Sequence, residues 1–392
     1  MMKKTLILLT LLFALTAHAG QHYTVVISLD GFRWDYPLWY DTPFFDQMAA
    51  EGVESGLIPS FPSKTFPNHY TLATGLYPDH HGIIANNFLD PASGRTYRMK
   101  DTETKQDPYF YGGEPIWVTA QKNGLRAMSY FWAGSDTKIG GMYPWRYVSY
   151  DDTPRLNFDQ VVNGIIDMLL LPEAERPHLI MAYFDQPDHN GHVYGPQDKL
   201  TRQVVQSIDS LMKRLYDGIQ ALPIGRDVNL IILSDHGMTP LAEDRVVDLR
   251  GVIKEQWLTA ADGDVPANLN VKPEYIDSVC DALSTVEHIQ YWRKADIPAY
   301  LHFGTHPRVG EVVVLPDLGW VVTDSLSSYG THGFDPYFSD MHALFRAVGP
   351  DFAHVKRPHF RNVDVYPLLC HLLGIVPAPC DGDFEEIKDL LK

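Results

Sequence analysis

Three apolar runs in this chain each end on carboxylates. Tyr23–Leu29 leads into Asp30, His178–Phe184 into Asp185 and Asp188, and Val228–Leu233 into Asp235. Imidazoles stand beside two of these sites: His189 and His192 after Asp188, and His236 after Asp235. Carboxylate oxygens and neutral imidazole nitrogens are the ligand set of zinc and similar ions. In an open α/β sheet, ligands bind outside the carboxyl ends of the parallel strands. Residues far apart in sequence would therefore meet on one rim.

The individual motifs differ in weight. Asp30 lies in Leu29-Asp30-Gly31, which suits a ligand at a strand end and equally a turn or capping aspartate. Ser234-Asp235-His236-Gly237-Met238 is stronger, because adjacent Asp and His at a turn can both face one ion. Asp188-His189-Asn190-Gly191-His192 offers a pair at i and i+4, with Gly191 expected to let the chain fold back so that the two converge. Asp185 and His189 compete for the same roles. His332 sits between glycines in Gly330-Thr331-His332-Gly333. A fifth segment, Pro62-Ser63-Lys64-Thr65-Phe66-Pro67-Asn68-His69, places two hydroxyls ahead of an expected helix. A hydroxyl there can attack or hold an anion. It can also be a plain N-cap.

These residues need a frame to hold them. The chain has 392 residues, 45% of them hydrophobic, enough for a sizeable core. Helical patterns near Phe44–Glu51, Asn68–Thr74, Pro115–Asn123, Leu156–Leu171 and Lys199–Leu222 alternate with the strands, with a further strand near Arg126–Phe131. That rhythm predicts an α/β fold with a mostly parallel sheet and helices on both faces. Residues 241–323 break it. They predict an inserted subdomain with strands near Ala267–Val271, Ala299–Phe303, Glu311–Leu315 and Trp320–Thr323, and a helix near Pro273–Leu283. The core then resumes with a strand at His342–Val348 and a helix at Asn362–Leu373.

Residues 1–19 read as a secretory signal peptide: a basic start, an apolar run over Thr5–Thr16, and Ala17-His18-Ala19 as cleavage site. The domain proper is then 20–392, exported, periplasmic in a Gram-negative host and otherwise secreted. With 49 acidic against 32 basic residues, the net charge of −17 argues against a nucleic-acid polymer as partner. An anionic substrate would need local countercharge, which a metal cluster supplies. Of the three cysteines, Cys280 is expected on a buried helix face. Cys370 and Cys380 are either a bridge that export would permit or two free thiols.

Taken in order, the motifs resemble the nucleotide pyrophosphatase/phosphodiesterases of the alkaline phosphatase superfamily. The resemblance runs from Ile27-Ser28-Leu29-Asp30-Gly31 to Gly374-Ile375-Val376-Pro377-Ala378-Pro379 and covers a single catalytic domain. Its most specific pieces are the Phe61–His69 segment, Gly75-Leu76-Tyr77-Pro78, His81-Gly82-Ile83-Ile84-Ala85-Asn86, Gly113-Glu114-Pro115-Ile116-Trp117, Pro187-Asp188 through His192, the Ser234–Met238 segment and Gly330–Gly333. The resemblance implies two zinc ions per chain. One is held by Asp188, His192 and His332, the other by Asp30, Asp235, His236 and the Thr65 oxygen. It makes Thr65 the nucleophile of a covalent threonyl intermediate and gives Asn86 a hydrogen bond to a phosphoryl oxygen. One departure is Gln186-Pro187-Asp188, where the family commonly has Glu-Pro-Asp. It leaves the ligand positions intact and touches only their support.

The resemblance also divides substrates. Phe66 and Tyr150 match positions where nucleotide-cleaving members sandwich a base, and the segment from Gly134 to Asp152 that a lysophospholipase D member largely lacks is complete here. The expected substrates are nucleoside triphosphates, dinucleotides and nucleotide sugars, cleaved to nucleoside 5′-monophosphates. Alternatives are a choline-lipid phosphodiesterase of the same family, a phosphomonoesterase or sulfatase of the superfamily, and a zinc-binding protein without turnover. Monoesterases of this group need an arginine for the terminal oxygens, and the arginines nearest Thr65 in sequence, Arg33 and Arg95, lie outside its motif.

Overall fold

The computed structural model describes residues 22–392. The expected signal peptide lies outside them. Strand β1, Tyr23–Leu29, is buried along its whole length. A strand whose successive side chains are all buried must be covered on both faces. It lies inside a nine-stranded sheet. The other strands are β2 (Val53–Ile58), β3 (Ala127–Tyr130), β4 (Arg146–Val148), β5 (Leu179–Phe184), β6 (Val228–Leu233), β7 (Ala343–Val348), β8 (Val355–Lys356) and β9 (Phe360–Arg361). Their order is β8-β2-β7-β6-β1-β5-β3-β4, with β9 also on β2. Pairs β6/β1, β1/β5, β5/β3 and β3/β4 are parallel, and β7 runs against both its neighbours. The sheet is therefore mostly parallel, as the alternation predicts.

Side chains of successive residues point to opposite faces. Val26, Met181, Ile231 and Phe345 join one apolar cluster with Tyr70, Leu72 and Trp117. Val25, Ile27, Ile180, Ile232 and Leu344 join the other with Val205, Met212 and Leu215. Helix Thr65–Thr74 covers the first face and helix Lys199–Gln220 the second. The latter buries Val205, Ile208, Met212, Leu215 and Ile219, the three-and-four spacing of one helix stripe.

Register positions the site. Leu29 pairs with Phe184, and Ser28 with Leu233. The chain therefore leaves β1, β5 and β6 at nearly one level, and Asp30, Asp185 and Asp235 emerge on the same rim. Gly31 adopts φ +65°, and a Cβ there would lie 2.9 Å from Asp188 Cα. Only glycine lets the turn after β1 pass so close to Asp188.

Between β6 and β7 a separate antiparallel sheet forms, in the order Leu258–Asp262, Ala267–Val271, Val312–Pro316, Ile289–Arg293. Helix Ile276–Leu283 closes a small core on it through Val279 and Leu283. The strand expected at Ala299–Phe303 is instead a 3-10 turn over Ala299–Leu301. Pro298 opens it and His302, at φ +48°, turns the chain out of any extended path. Asp188–Tyr194 is a helix rather than a fold-back loop. Cys280 is half-buried, and Cys370 and Cys380 are free thiols.

One buried carboxylate fastens the loop between the Ile289–Arg293 and Val312–Pro316 strands to the rest. Asp79, 4% exposed, accepts from the backbone N–H groups of Gly304 (3.0 Å), Thr305 (2.7 Å) and His306 (2.9 Å). Asp79→Ala leaves all three donors unpaired and is expected to cost about 3 kcal/mol, at roughly 1 kcal/mol or more each. Urea unfolding measures it. A loss below about 1 kcal/mol would mean that water replaces the carboxylate fully.

Candidate active site

Thr65 is the first residue of its helix, so its hydroxyl stands among N–H groups that no helical carbonyl can reach. Its Oγ1 lies 3.3 Å from His236 Nε2. The same nitrogen is 3.0 Å from Asp235 Oδ2 and 3.4 Å from Asp30 Oδ1. Four residues from three distant segments thus converge on one point.

Beside it lies a second convergence. His192 Nε2 is 3.4 Å from Asp188 Oδ1, His332 Nε2 is 3.6 Å from the same oxygen, and the two imidazole nitrogens are 3.2 Å apart. Asp188 and His192 face one way because i and i+4 stack on a helix. Asp188 also stands within reach of Asp30 and His236, so it sits between the two clusters.

The hydrogen bonds assign the tautomers. His236 Nδ1 donates to Gly237 O (2.8 Å), His192 Nδ1 to Gly330 O (2.7 Å) and His332 Nδ1 to Ser63 O (2.7 Å). A carbonyl can only accept, so each Nδ1 carries a proton and each Nε2 is the nitrogen left to face the carboxylates. The carboxylates are arranged alike. Tyr183 donates to Asp30 Oδ2 at 2.5 Å, and Gly31 N–H and the Ser234 hydroxyl, each at 3.2 Å, donate to Asp235 Oδ1. Their other oxygens, Asp30 Oδ1 and Asp235 Oδ2, and likewise Asp188 Oδ1, are buried without a hydrogen-bond partner among the described residues. Lone pairs facing lone pairs in a buried place are costly unless a cation lies between them. The donor set, oxygen and imidazole nitrogen in two groups, fits zinc or a similar divalent ion.

The protonation preferences show the same strain. Burial, then the charges of Asp235 and Asp188, push the Asp30 carboxyl well above the usual carboxylate range. Burial also opposes ionisation of Asp235, but the imidazoles of His236 and His69 outweigh it and hold that carboxyl well below the range. Burial, then His236, keep His332 well below the usual imidazole range, neutral and able to ligate.

Both clusters open into a cavity of about 590 Å³. Phe66, Asn86 and Tyr150 line it with Thr65. Asn86 Oδ1 accepts from the Phe66 N–H at 2.9 Å, which leaves the Asn86 amide hydrogens as donors. All ten residues singled out in the sequence are therefore in one place: seven in the two clusters, three on the cavity wall. His189 also lines the cavity but is exposed and outside the clusters.

Three further residues, His69, Tyr183 and Arg155, belong here that the sequence did not single out for it. His69 binds Thr65 O through Nδ1 (2.9 Å) and Ser28 Oγ through Nε2 (2.8 Å), and lies 3.3 Å from Asp235. It follows Thr65 by one helical turn, a spacing that could have flagged it. Tyr183 supports Asp30, and only strand register reveals that. Asp185 stays outside the clusters yet accepts from the Tyr150 hydroxyl at 2.7 Å. Arg155 covers one face of the Tyr150 ring, with Cζ 4.1 Å from its centroid.

A sheet of this order with such a donor set at its rim has the alkaline phosphatase-like architecture and defines a hydrolase of the metallo-phosphodiesterase type. Residues 24–335 match the family described as type I phosphodiesterase / nucleotide pyrophosphatase. The chain belongs to that family, whose members act on phosphodiester and phosphoanhydride bonds. It is 33% identical over 377 residues to human ectonucleotide pyrophosphatase/phosphodiesterase family member 5, covering 95% of this chain and 78% of that protein. An uncharacterized pyrophosphatase/phosphodiesterase of Schizosaccharomyces pombe is 35% identical over 391 residues, covering 93% of this chain and 79% of that one. The structure of murine ectonucleotide pyrophosphatase/phosphodiesterase 5 superposes with TM-score 0.89 at 33% identity, over 94% of this chain and all (100%) of the other. An inactive threonine-to-alanine variant of that murine protein, in complex with AMP, gives 0.89 at 32% identity, over 95% of this chain and 100% of its own.

Proposed function

We propose that this chain is an exported two-zinc phosphodiesterase and pyrophosphatase that releases nucleoside 5′-monophosphates through a covalent threonyl intermediate. The observation that carries this reading is the Thr65 hydroxyl at a helix N-terminus, 3.3 Å from His236 and beside two oxygen–imidazole clusters. Asp30, Asp235, His236 and Thr65 would hold one zinc, and Asp188, His192 and His332 the other. Bound zinc would supply the positive charge that lowers the hydroxyl pKa and draws electrons from the phosphoryl oxygens. The chain does the rest. The helix N-terminus fixes the Thr65 oxygen and favours the anionic phosphoryl group. The Asn86 amide donates to one of its oxygens. Thr65 Oγ forms a bond to phosphorus as the bond to the leaving oxygen breaks, and water later cleaves the threonyl ester.

Phe66 and Tyr150 would hold the base. Arg155 behind the Tyr150 ring and Asp185 at its hydroxyl fix one face toward the cavity. Tyr150→Ala is expected to raise KM for a nucleotide diester about tenfold, in line with base stacking, with kcat little changed. Asp185→Ala, which frees the ring without removing it, should shift KM the same way by less. A fall in kcat at constant KM would exclude a positioning role for Asp185.

The monoesterase reading loses ground to the arginines. Arg33 is buried and tied to Asp35 and Asp340, and Arg95 pairs with Asp107. Neither lines the cavity. No helix among the described residues is long and apolar enough to cross a membrane. Residues 20–392 would be the catalytic domain, with 241–323 inserted in it. The deciding experiment offers zinc-loaded protein ATP, a nucleotide p-nitrophenyl ester, p-nitrophenyl phosphate and lysophosphatidylcholine. AMP release and ester cleavage are expected. Choline release alone, or cleavage of the monoester alone, overturns the reading.

A further inference from the structure

Among the described residues, three that are not glycine have a left-handed backbone: Phe131 (φ +66°), His288 (φ +62°) and His302 (φ +48°). The two histidines belong to the segment inserted between β6 and β7. Phe131 alone of the three stands on the wall of the active-site cavity. A bulky side chain makes this conformation costly, whereas glycine adopts it freely. Strain of this kind collects at functional sites, where the surrounding structure holds it in place. A glycine would make the same turn unstrained, so the turn does not account for the ring.

Phe131 follows directly on β3. Its N–H still bonds across to β4, donating to Val148 O at 3.0 Å. The chain then turns and sends two consecutive rings to different partners. The Trp132 indole N–H donates to His69 O at 3.0 Å, on the helix that begins at Thr65. The Phe131 ring meets that of Tyr150, two residues beyond β4, with centroids 5.8 Å apart and planes at 85°. This is the favoured edge-to-face arrangement of an aromatic pair. The bond from the Tyr150 hydroxyl to Asp185 holds the far end of the ring and leaves it free to turn about its long axis. Arg155, over one face, is itself exposed. Phe131 is 7% exposed and packs into the apolar cluster on its side of the sheet, so it is a rigid neighbour.

Resting on the function proposed above, we infer that Phe131 is a positioning residue for the base wall. Its strained backbone aims a buried ring at Tyr150 and so sets the plane on which the substrate's base stacks. It acts through Tyr150 and not by contact with the base. The strain is retained because the unstrained residue, glycine, has no ring to offer.

The test uses the zinc-loaded full chain and two esters with one leaving group: a nucleoside 5′-(p-nitrophenyl phosphate) and methyl p-nitrophenyl phosphate, which has no base. Phe131→Gly removes the ring and relieves the strain. Phe131→Leu keeps apolar volume and the left-handed backbone but loses the flat ring. Each should raise KM for the nucleotide ester about fivefold with kcat changed less than about twofold, and weaken inhibition by AMP by the same factor, as expected from part of a stacking contact. The loss of kcat/KM on the base-free ester should be about threefold smaller, since that ester has nothing to stack. With Tyr150→Ala already in place, Phe131→Gly should add less than about twofold to KM, because the two residues act as one wall. Thermal melts check that each variant is folded. Equal losses on both esters, a fall in kcat at constant KM, an unchanged KM, or full additivity with Tyr150→Ala overturns the inference alone. Wild-type protein that does not prefer the nucleotide ester to the base-free one overturns the base site of the proposed function, and the inference falls with it.

Discussion

Thr65→Ala is expected to lower turnover of ATP or a dinucleotide by roughly 10⁴- to 10⁶-fold, the scale seen when a nucleophile is removed from a site that otherwise stays whole. AMP binding should survive. The proposed base wall of Phe66 and Tyr150, the Asn86 amide and the Asp188–His192–His332 cluster do not involve the threonine side chain, and Asp30, Asp235 and His236 stay to hold the other proposed metal. Stability should change little, because Thr65 sits at a helix start and its hydroxyl makes one contact, to His236. The inactive variant of murine ectonucleotide pyrophosphatase/phosphodiesterase 5 that holds AMP carries the same type of substitution. Thr65→Ser is the companion variant. It keeps the oxygen and should retain measurable turnover. Rapid quenching of wild-type protein with labelled substrate should trap a nucleotidyl adduct on Thr65 that is missing from the alanine variant. Alanine-variant turnover within tenfold of wild type, or an adduct on Ser63, would displace Thr65 from its role.

The site was more legible than the frame around it. Strand ends that are apolar up to the last residue and then acidic announce a rim. Register confirms it, with Leu29 opposite Phe184 and Ser28 opposite Leu233. What stayed hidden depends on contacts between distant segments. β2 carries Gly56 and Glu54 in its interior, which weakens the strand pattern. The glycine is there because a Cβ would lie 2.9 Å from the His359 ring, and no local pattern reports that. Asp188–Tyr194 looked like a glycine-bent loop, yet Gly191 is buried in a helix where a Cβ would meet the Met238 side chain at 3.0 Å. Helical spacing, not a bend, brings Asp188 and His192 together. His302 breaks an apparent strand through a left-handed φ. Asp185 looked redundant beside Asp188 because its partner, the Tyr150 hydroxyl, lies in another loop.

Removing the metal should reverse two properties at once. Chelation of the loaded protein is expected to abolish activity and lower the melting temperature, and added zinc should restore both. A ligand bound only to the folded chain stabilises it by about 2.7 kcal/mol at a hundredfold excess over Kd. For a domain of this size that is a shift on the order of 5 °C. The reason lies in three buried oxygens, Asp30 Oδ1, Asp188 Oδ1 and Asp235 Oδ2, which have no hydrogen-bond partner among the described residues. Without a cation they repel, and Asp188 and Asp235 are among the charges that push the Asp30 carboxyl up. Asp188→Asn separates this account from a merely structural one. It removes a like charge from the metal-free protein, so the chelated variant should melt at the same temperature as chelated wild type or higher. It also removes a proposed ligand of the Asp188–His192–His332 cluster, so zinc should raise its melting temperature less and restore little turnover. A structural Asp188 would behave in the opposite way, destabilising the chelated protein and leaving the response to zinc unchanged.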